Sequence, residues 1–418
     1  RAERLRQETK LDGEQLHLAL ARTPYADDRR IQIPALFPFC TPRVTAMERV
    51  YGGKVTDRHF DSDKERRTCA ELIVASLIAR PLLANGDAAL FHGDPHPGNL
   101  LYTPDDRLAI LDWSLAATLE ETRRIAFVQI ILGAVMLDAD RIARGLAALS
   151  AHPDVAAVAL IGSVGAGKAV LRSAADTMKR TLLELGGKNA MVIYPDADLR
   201  SAVEGAVRGM NFTWCGQSCG STSRLYVHRS LHDEFMQRMA EELARKHRPG
   251  IATHLDTTMG ALASRAQYDR ALHYIQAGID EGAVLLTGGH AARDAQLKDG
   301  LFIEPTIFTG VRPDMRIARE EIFGPVLSVF SWDDEDRMLV EVNGTELGLT
   351  ASVWTTSLNT GLRAAKRIQS GYVWVNECSV HIPGAPFGGY KQSGVGREES
   401  KEELLEFTQL KNVNVKLG

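Results

Sequence analysis

The chain has 418 residues, 44% hydrophobic and 24% charged, the make-up of an ordinary globular protein with room for two or three cored domains. A net charge of −4 excludes a broadly basic surface for nucleic acid or an anionic membrane. Five scattered cysteines (Cys40, Cys69, Cys215, Cys219, Cys378) make no disulfide framework, so a reducing cytoplasmic compartment is expected, and the opening Arg-Ala-Glu-Arg does not resemble a signal peptide.

Residues 1–30 are charged and helix-permissive, with a loose apolar face at Leu5, Leu11, Leu16 and Leu18. Residues 31–39 suit a strand and turn, and Asp61 to Leu83 predicts a helix with Leu72, Ile73 and Leu77 near one face. A short apolar strand then enters His92-Gly-Asp-Pro-His-Pro-Gly-Asn99, and a second strand ends at Asp112. Asp94, Asn99 and Asp112 have the spacing of a phosphoryl-transfer set: one Asp to accept a hydroxyl proton, an Asn and an Asp for Mg²⁺. The wording of that loop resembles the UbiB/AarF-like atypical kinases, and Leu111-Asp-Trp113 is similar to the aminoglycoside phosphotransferases. The resemblance covers about residues 1–145 and implies a kinase-like large-lobe fragment using Mg-ATP. No glycine-rich phosphate loop or strand lysine precedes the loop, and Trp113-Ser114 stand where kinases carry Phe-Gly, so weak or no ATP chemistry is expected. The apolar run Ile125 to Leu137, inside a helical stretch over 120–149, is shorter than the roughly 20 residues a bilayer span needs and predicts a buried helix.

The character changes near residue 150. Ala151 to Ile161 predicts a buried strand entering Gly162-Ser-Val-Gly-Ala-Gly-Lys168, followed by a helix to about Leu183. Strand, glycine turn and helix can set N–H groups against a phosphate. Gly162, Gly167 and Lys168 spell part of a P-loop, but Ala169 stands where a Mg²⁺-binding hydroxyl is needed. Leu182-Leu-Glu-Leu-Gly-Gly-Lys188 comes next, then Trp214-Cys-Gly-Gln-Ser-Cys-Gly220. A thiol is a good nucleophile only as thiolate and needs an acid/base partner, which makes Cys219 and Glu184 a candidate pair. Cys215 and Cys378 are expected in the wall. From 190 onward a strand and turn (190–198) and further strands (224–228, 302–308, 350–355, 371–376) alternate with helices (199–212, 231–246, 268–281), which argues α/β with a largely parallel sheet. The alternating Val-Asn-Val-Lys-Leu417 at the tail predicts an edge strand.

Leu-Glu-Leu-Gly-Gly-Lys188, Gly-Gln-Ser-Cys219 and Glu320-Glu-Ile-Phe-Gly-Pro-Val326, in that order, resemble the aldehyde dehydrogenase superfamily over about residues 151–418. The resemblance implies that Cys219 attacks an aldehyde, that hydride passes to NAD or NADP, and that Glu184 activates water against the thioester. It implies Gly162, Ser163, Gly167, Leu185, Glu321 and Phe323 at the cofactor, Asn376 and Phe387 lining the substrate end, and no metal. It also implies a small-molecule aldehyde as partner, homo-oligomers through the C-terminal strand, and no nucleic-acid or membrane partner. The family's first βαβ units, oxyanion asparagine and adenosine-ribose lysine have no counterpart before Gly162, so an incomplete Rossmann-type half is expected. The expected division is 1–148 kinase-like, 149–185 dinucleotide-domain remnant, 186–395 catalytic domain and 396–418 oligomerisation strand. The alternatives are phosphotransfer through Asp94, Asn99 and Asp112, or a non-catalytic fusion or binding protein.

Overall fold

The computed structural model describes residues 11–60, 62–136 and 139–416. The chain divides into two compact units, Arg1–His152 and Pro153–Gly418.

In the first unit, helix α1 (Leu11–Tyr25) buries Leu18, Ala21 and Tyr25. They pack with Leu72, Leu77, Leu108, Ile110 and Trp113. Short strands β1 (Ile31–Gln32) and β2 (Gly53–Lys54) precede helix α2 (Asp63–Val74), which starts where Ser62 Oγ accepts from Glu65 N. The helix runs on through a π turn to Leu82, close to the expected span. Strands β3 (Ala88–His92), β4 (Leu100–Tyr102), β5 (Leu108–Ile110) and β6 (Ala116–Glu120) follow. They make a hairpin-like β3–β6 pair and a sheet of order β1-β5-β4-β2. Helices α3 (Glu121–Met136) and α4 (Ala139–Ala151) close the unit. The described part of the apolar run, residues 125–132, is not buried as expected: Ile125, Phe127, Ile131 and Leu132 are exposed, and the side chains of 133–137 lie outside the described residues. Among the described side chains of α3, residues 121–132, the buried ones are Arg124 and Ala126.

The second unit opens with β7 (Ala157–Ile161), helix α5 (Val164–Ala175) and β8 (Arg180–Glu184). Two expectations are corrected here. The helix stops at Ala175, and residues up to Glu184 form a strand because Arg180–Glu184 pairs in parallel with all of β7. Nor is β7 a buried strand. It is the edge of a three-stranded sheet, β18-β8-β7, and Ile161 is 70% exposed.

Strand β9 (Ala190–Ile193), helix α6 (Leu199–Gly209), β10 (Arg224–His228), α7 (His232–Lys246), α8 (Arg265–Asp280), β11 (Val284–Thr287), β12 (Thr306–Thr309) and β13 (Val326–Trp332) come next. They are followed by α9 (Glu335–Asn343), β14 (Leu347–Gly348), β15 (Thr350–Trp354), α10 (Leu358–Arg367), β16 (Tyr372–Val375), β17 (Tyr390–Lys391) and β18 (Gly394–Val395). Seven strands form one sheet of order β11-β12-β13-β10-β9-β15-β16. All its pairs are parallel except β11–β12. Both faces are covered, so its central strands read as apolar runs such as Met191-Val-Ile193, each fully buried. Beyond β18 the tail forms helix α11 (Lys401–Glu406), then residues 409–416 without secondary structure. The expected tail strand is not formed; a strand needs a partner for its amides, and this chain alone supplies none there.

Candidate active site

Glu184 is the last residue of β8. Its backbone carbonyl accepts from Gly162 N at 3.0 Å, which ties it to the glycine turn after β7. The side chain is buried, and neither carboxylate oxygen has a hydrogen-bond partner among the described residues. Burial, then the neighbouring Glu398, push its carboxyl up to about 8, against the pull of Arg397.

The next residues make a tight turn that no side chain could replace. A β-carbon on Gly186 would collide with Glu321 Oε2, and one on Gly187 with the Cys219 carbonyl. Gly187 N donates to Glu321 Oε1 at 2.9 Å, and Asn189 Nδ2 donates to Cys219 O at 2.7 Å. Glu184, Cys219 and Glu321 therefore surround one turn. Cys219 is half-buried and packs against Leu349, Tyr372, Trp374 and Phe387. Burial, then the Glu321 and Glu184 carboxylates, raise its thiol; the N–H groups of Gly220 and of Cys219 itself act the other way. Glu321 is raised by burial and lowered by Gly187 N–H, Lys188 and Arg270. Phe323 carries a left-handed φ of 57°, unfavourable for a bulky residue.

The glycine turn after β7 leads directly into α5. Ser163 Oγ accepts from Ala166 N at 3.2 Å and starts α5. Gly167 lets α5 seat on Leu185, because a β-carbon there would stand 2.6 Å from Leu185 Cδ1. A cleft of about 620 Å³ joins Ser163, Val164 and Gly165 to Glu321, Leu347 and Gln392. Lys168 faces Gln392 Oε1 at 2.8 Å rather than forming a P-loop cradle.

Asn376 stands apart from this group. Its amide is committed to Thr355, Nδ2 to the carbonyl at 2.8 Å and Oδ1 from the N–H at 2.9 Å. Thr355 follows the carboxyl end of β15, whereas the cysteine loop meets the other end, where Thr350 Oγ1 donates to Gly220 O at 3.4 Å. Phe387 does belong, with Tyr372 and Trp374, to the cluster against which Cys219 packs. His381 extends this aromatic wall: its ring is 4.7 Å from Phe387 and its Nδ1 is 2.7 Å from Glu399 Oε1. Cys215 is buried with its thiol donating to Gly260 O at 3.2 Å, and Cys378 is buried against Gly205 O at the same distance.

Lys188 and Asn189 were also missed, although both are buried and border the turn. Lys188 Nζ has no hydrogen-bond partner among the described residues. Burial, then Arg224, lower it to about 7, while Glu321 and Glu320 oppose. The Leu-Glu-Leu-Gly-Gly-Lys motif stops one residue short of Asn189, and a single sequence carries no signal for it.

In the first unit, Asp94, Asn99 and Asp112 lie on adjoining loops. Asn99 is buried, its Nδ2 donates to the Asp94 carbonyl at 3.1 Å, and its own carbonyl accepts from Leu111 N at 2.8 Å. Asp112 has φ 50° and turns its carboxylate onto Ser114 Oγ at 2.6 Å. Glu14 on α1 is raised by burial and then by Asp112. No group of three or more possible metal ligands occurs among the described residues.

The second unit is thus a parallel-sheet α/β structure with a cysteine, two carboxylates and a nucleotide-sized cleft around one glycine turn. The aldehyde dehydrogenase family model matches residues 135–413, and the chain belongs to that family. Residues 1–146 match a second model, the ABC1 atypical kinase-like domain. Aldehyde dehydrogenase tropH of Talaromyces stipitatus is 50% identical over 274 residues, 65% of this chain and 53% of that protein. A betaine aldehyde dehydrogenase of Brucella anthropi is 44% identical over 272 residues, 65% of this chain and 55% of its own. Among solved structures, an NAD-dependent aldehyde dehydrogenase from Sinorhizobium meliloti superposes with a TM-score of 0.62 at 42% identity, over 67% of this chain and 54% of that one. The NAD⁺ complex of aldehyde dehydrogenase from Bacillus cereus gives 0.62 at 39%, over 65% and 54%. The chain spans about half the length of the curated relatives it matches. No described helix is long and apolar enough to cross a membrane.

Proposed function

We propose that the second unit oxidises a small aldehyde to its carboxylic acid with NAD or NADP. The observation that carries this reading is the shared turn: Gly187 N bonds Glu321, Asn189 bonds Cys219, and Glu184 begins the same segment. Cys219 is the nucleophile. Its sulfur bonds to the aldehyde carbon, and the backbone N–H of Cys219 is a donor for the resulting oxyanion. A nicotinamide held in the cleft would supply the hydride acceptor, so that the substrate stays on Cys219 as a thioester. Glu184, poised near pH 8, takes a proton from water, whose oxygen displaces the sulfur and releases the acid and the thiol.

The residues fit a dinucleotide at its nicotinamide end. The cleft, the capped start of α5 and the Glu321 carboxylate offer room, N–H groups and an acceptor for ribose hydroxyls. Gly162, Ser163, Gly167, Leu185, Glu321 and Phe323 would hold it, and Phe387 with Tyr372 and Trp374 would line the aldehyde. The names of the relatives favour NAD and make betaine aldehyde a first substrate to try. Residues 149–185 are read as the dinucleotide-domain remnant, 186–395 as the catalytic domain and 396–418 as the segment that pairs with a second copy, all in the cytoplasm and without a nucleic-acid partner.

The test is an aldehyde panel assayed for NADH or NADPH, with mass spectrometry for an acyl group on Cys219. Acyl adducts that accumulate in Glu184→Gln and vanish in Cys219→Ala are expected. No reduced cofactor and no adduct with any aldehyde would defeat the reading.

A further inference from the structure

We propose that Asn189 is a positioning residue for the nucleophile: it fixes the Cys219–Gly220 peptide plane to the sheet and so holds the Cys219 side chain in one place relative to the groups around it. The inference rests on the reading of Cys219 as the nucleophile.

One amide anchors three points. Asn189 Nδ2 donates to Cys219 O at 2.7 Å and to Ser221 O at 2.9 Å, and Oδ1 accepts from Thr350 N at 3.0 Å. Its backbone carbonyl takes a fourth bond, from Arg224 N at 3.0 Å. The side chain is buried, so each bond is made away from competing water. Thr350 begins β15 and Asn189 immediately precedes β9, its neighbour in the sheet. The cysteine loop is thereby referenced to the rigid sheet rather than to another loop.

Peptide geometry turns this anchor into chemistry. The Cys219 carbonyl and the Gly220 N–H belong to one planar trans unit and point in opposite directions. Fixing the carbonyl on Asn189 fixes the N–H on the far side. That N–H donates to Ser218 Oγ at 3.3 Å and also favours the Cys219 thiolate. Two carboxylates oppose the thiolate, so the donors that favour it have to be held in place. Without the Asn189 amide, the plane is free to rotate, and the Cys219 side chain and the Gly220 N–H lose their fixed relation. The neighbouring Gly187 leaves no slack, since a β-carbon there would meet both the Cys219 carbonyl and the Asn189 amide.

The experiment is alkylation of the full chain with iodoacetamide across a pH series, each cysteine followed by peptide mass spectrometry and Cys219→Ala as the blank. In Asn189→Ala, Cys219 alkylation at pH 7 is expected to fall about tenfold, as misaligned catalytic groups do. The midpoint of its pH profile is expected to rise by about one unit, the size of shift one lost donor makes. Asn189→Ser, which keeps one donor and is the safer variant for folding, is expected to fall between the two. A merely structural role would lower the melting temperature and leave the midpoint unmoved. Superposable profiles in the folded variants overturn the inference. Failure of Cys219 to react ahead of the other cysteines overturns both it and the nucleophile assignment. Normal alkylation without any NADH defeats the dehydrogenase reading alone, and the Asn189 profiles still decide this one.

Discussion

Glu184 and Lys188 lie four positions apart and are displaced in opposite senses, which gives each a distinct pH signature. Glu184 is raised from 4.5 to about 8. Between those values the unfolded chain has lost the proton that the folded chain keeps, so this group's contribution to stability falls as pH rises from 4.5 to about 8. Lys188 is lowered from 10.5 to about 7. Between those values the unfolded chain holds the proton that the folded chain lacks, so stability rises with pH over that window. Glu184→Gln should therefore flatten the decline on the acid side, and Lys188→Met the climb on the alkaline side, in chemical-denaturation curves at stepped pH. Identical slopes in variant and parent would refute the burial described for either side chain. Glu184→Gln should also remove the rise in turnover through about pH 8 if hydrolysis of the thioester needs the carboxylate. Cys219 and Glu184 were named from the sequence because the stretches that hold them resemble the aldehyde dehydrogenases, a lone thiol by itself reading more readily as a buried wall residue. Asn189 was not, since an amide side chain acquires its meaning only when two carbonyls from a distant loop arrive beside it.

At the scale of elements, local pattern served where one segment decides its own fate. Asp63 to Leu82 and Leu199 to Gly209 are helices close to where the periodicity put them. Pattern failed where a neighbour decides. Thr181-Leu-Leu is compatible with a helix, and becomes β8 only because β7 and β18 lie on either side of it. The motif Glu320 to Val326 was recognised, but not the strand that starts at its last residue, although β13 sits inside the large sheet between β12 and β10. The α5 cap gives a prediction here. Ser163→Ala removes the acceptor for Ala166 N and should cost about 1 kcal/mol. Gly167→Val should cost more, because its branches would drive into Leu185. Equal melting temperatures for the two variants would contradict the packing of α5 on Leu185.

The whole molecule holds two units, each with its own hydrophobic cluster. That predicts two thermal transitions in calorimetry, with NAD⁺ raising only the one assigned to residues 153–418. Ligand at a hundred times its dissociation constant adds about 2.7 kcal/mol to the state that binds it. Mg-ATP should move neither, because Asp112 already uses its carboxylate on Ser114. An ATP-dependent shift lost in Asp112→Ala would reverse that expectation. The change in character puts the join near residue 150, and the two compact units divide between His152 and Pro153.

Strand β7 has a consequence for handling the protein. Its outer rim presents amide hydrogens and carbonyl oxygens that have no strand partner among the described residues, at the margin of an otherwise ordered sheet. Such a rim is a template on which another extended segment can crystallise its own hydrogen bonds, so concentrated solutions should self-associate in a way that a proline at Ala159 suppresses.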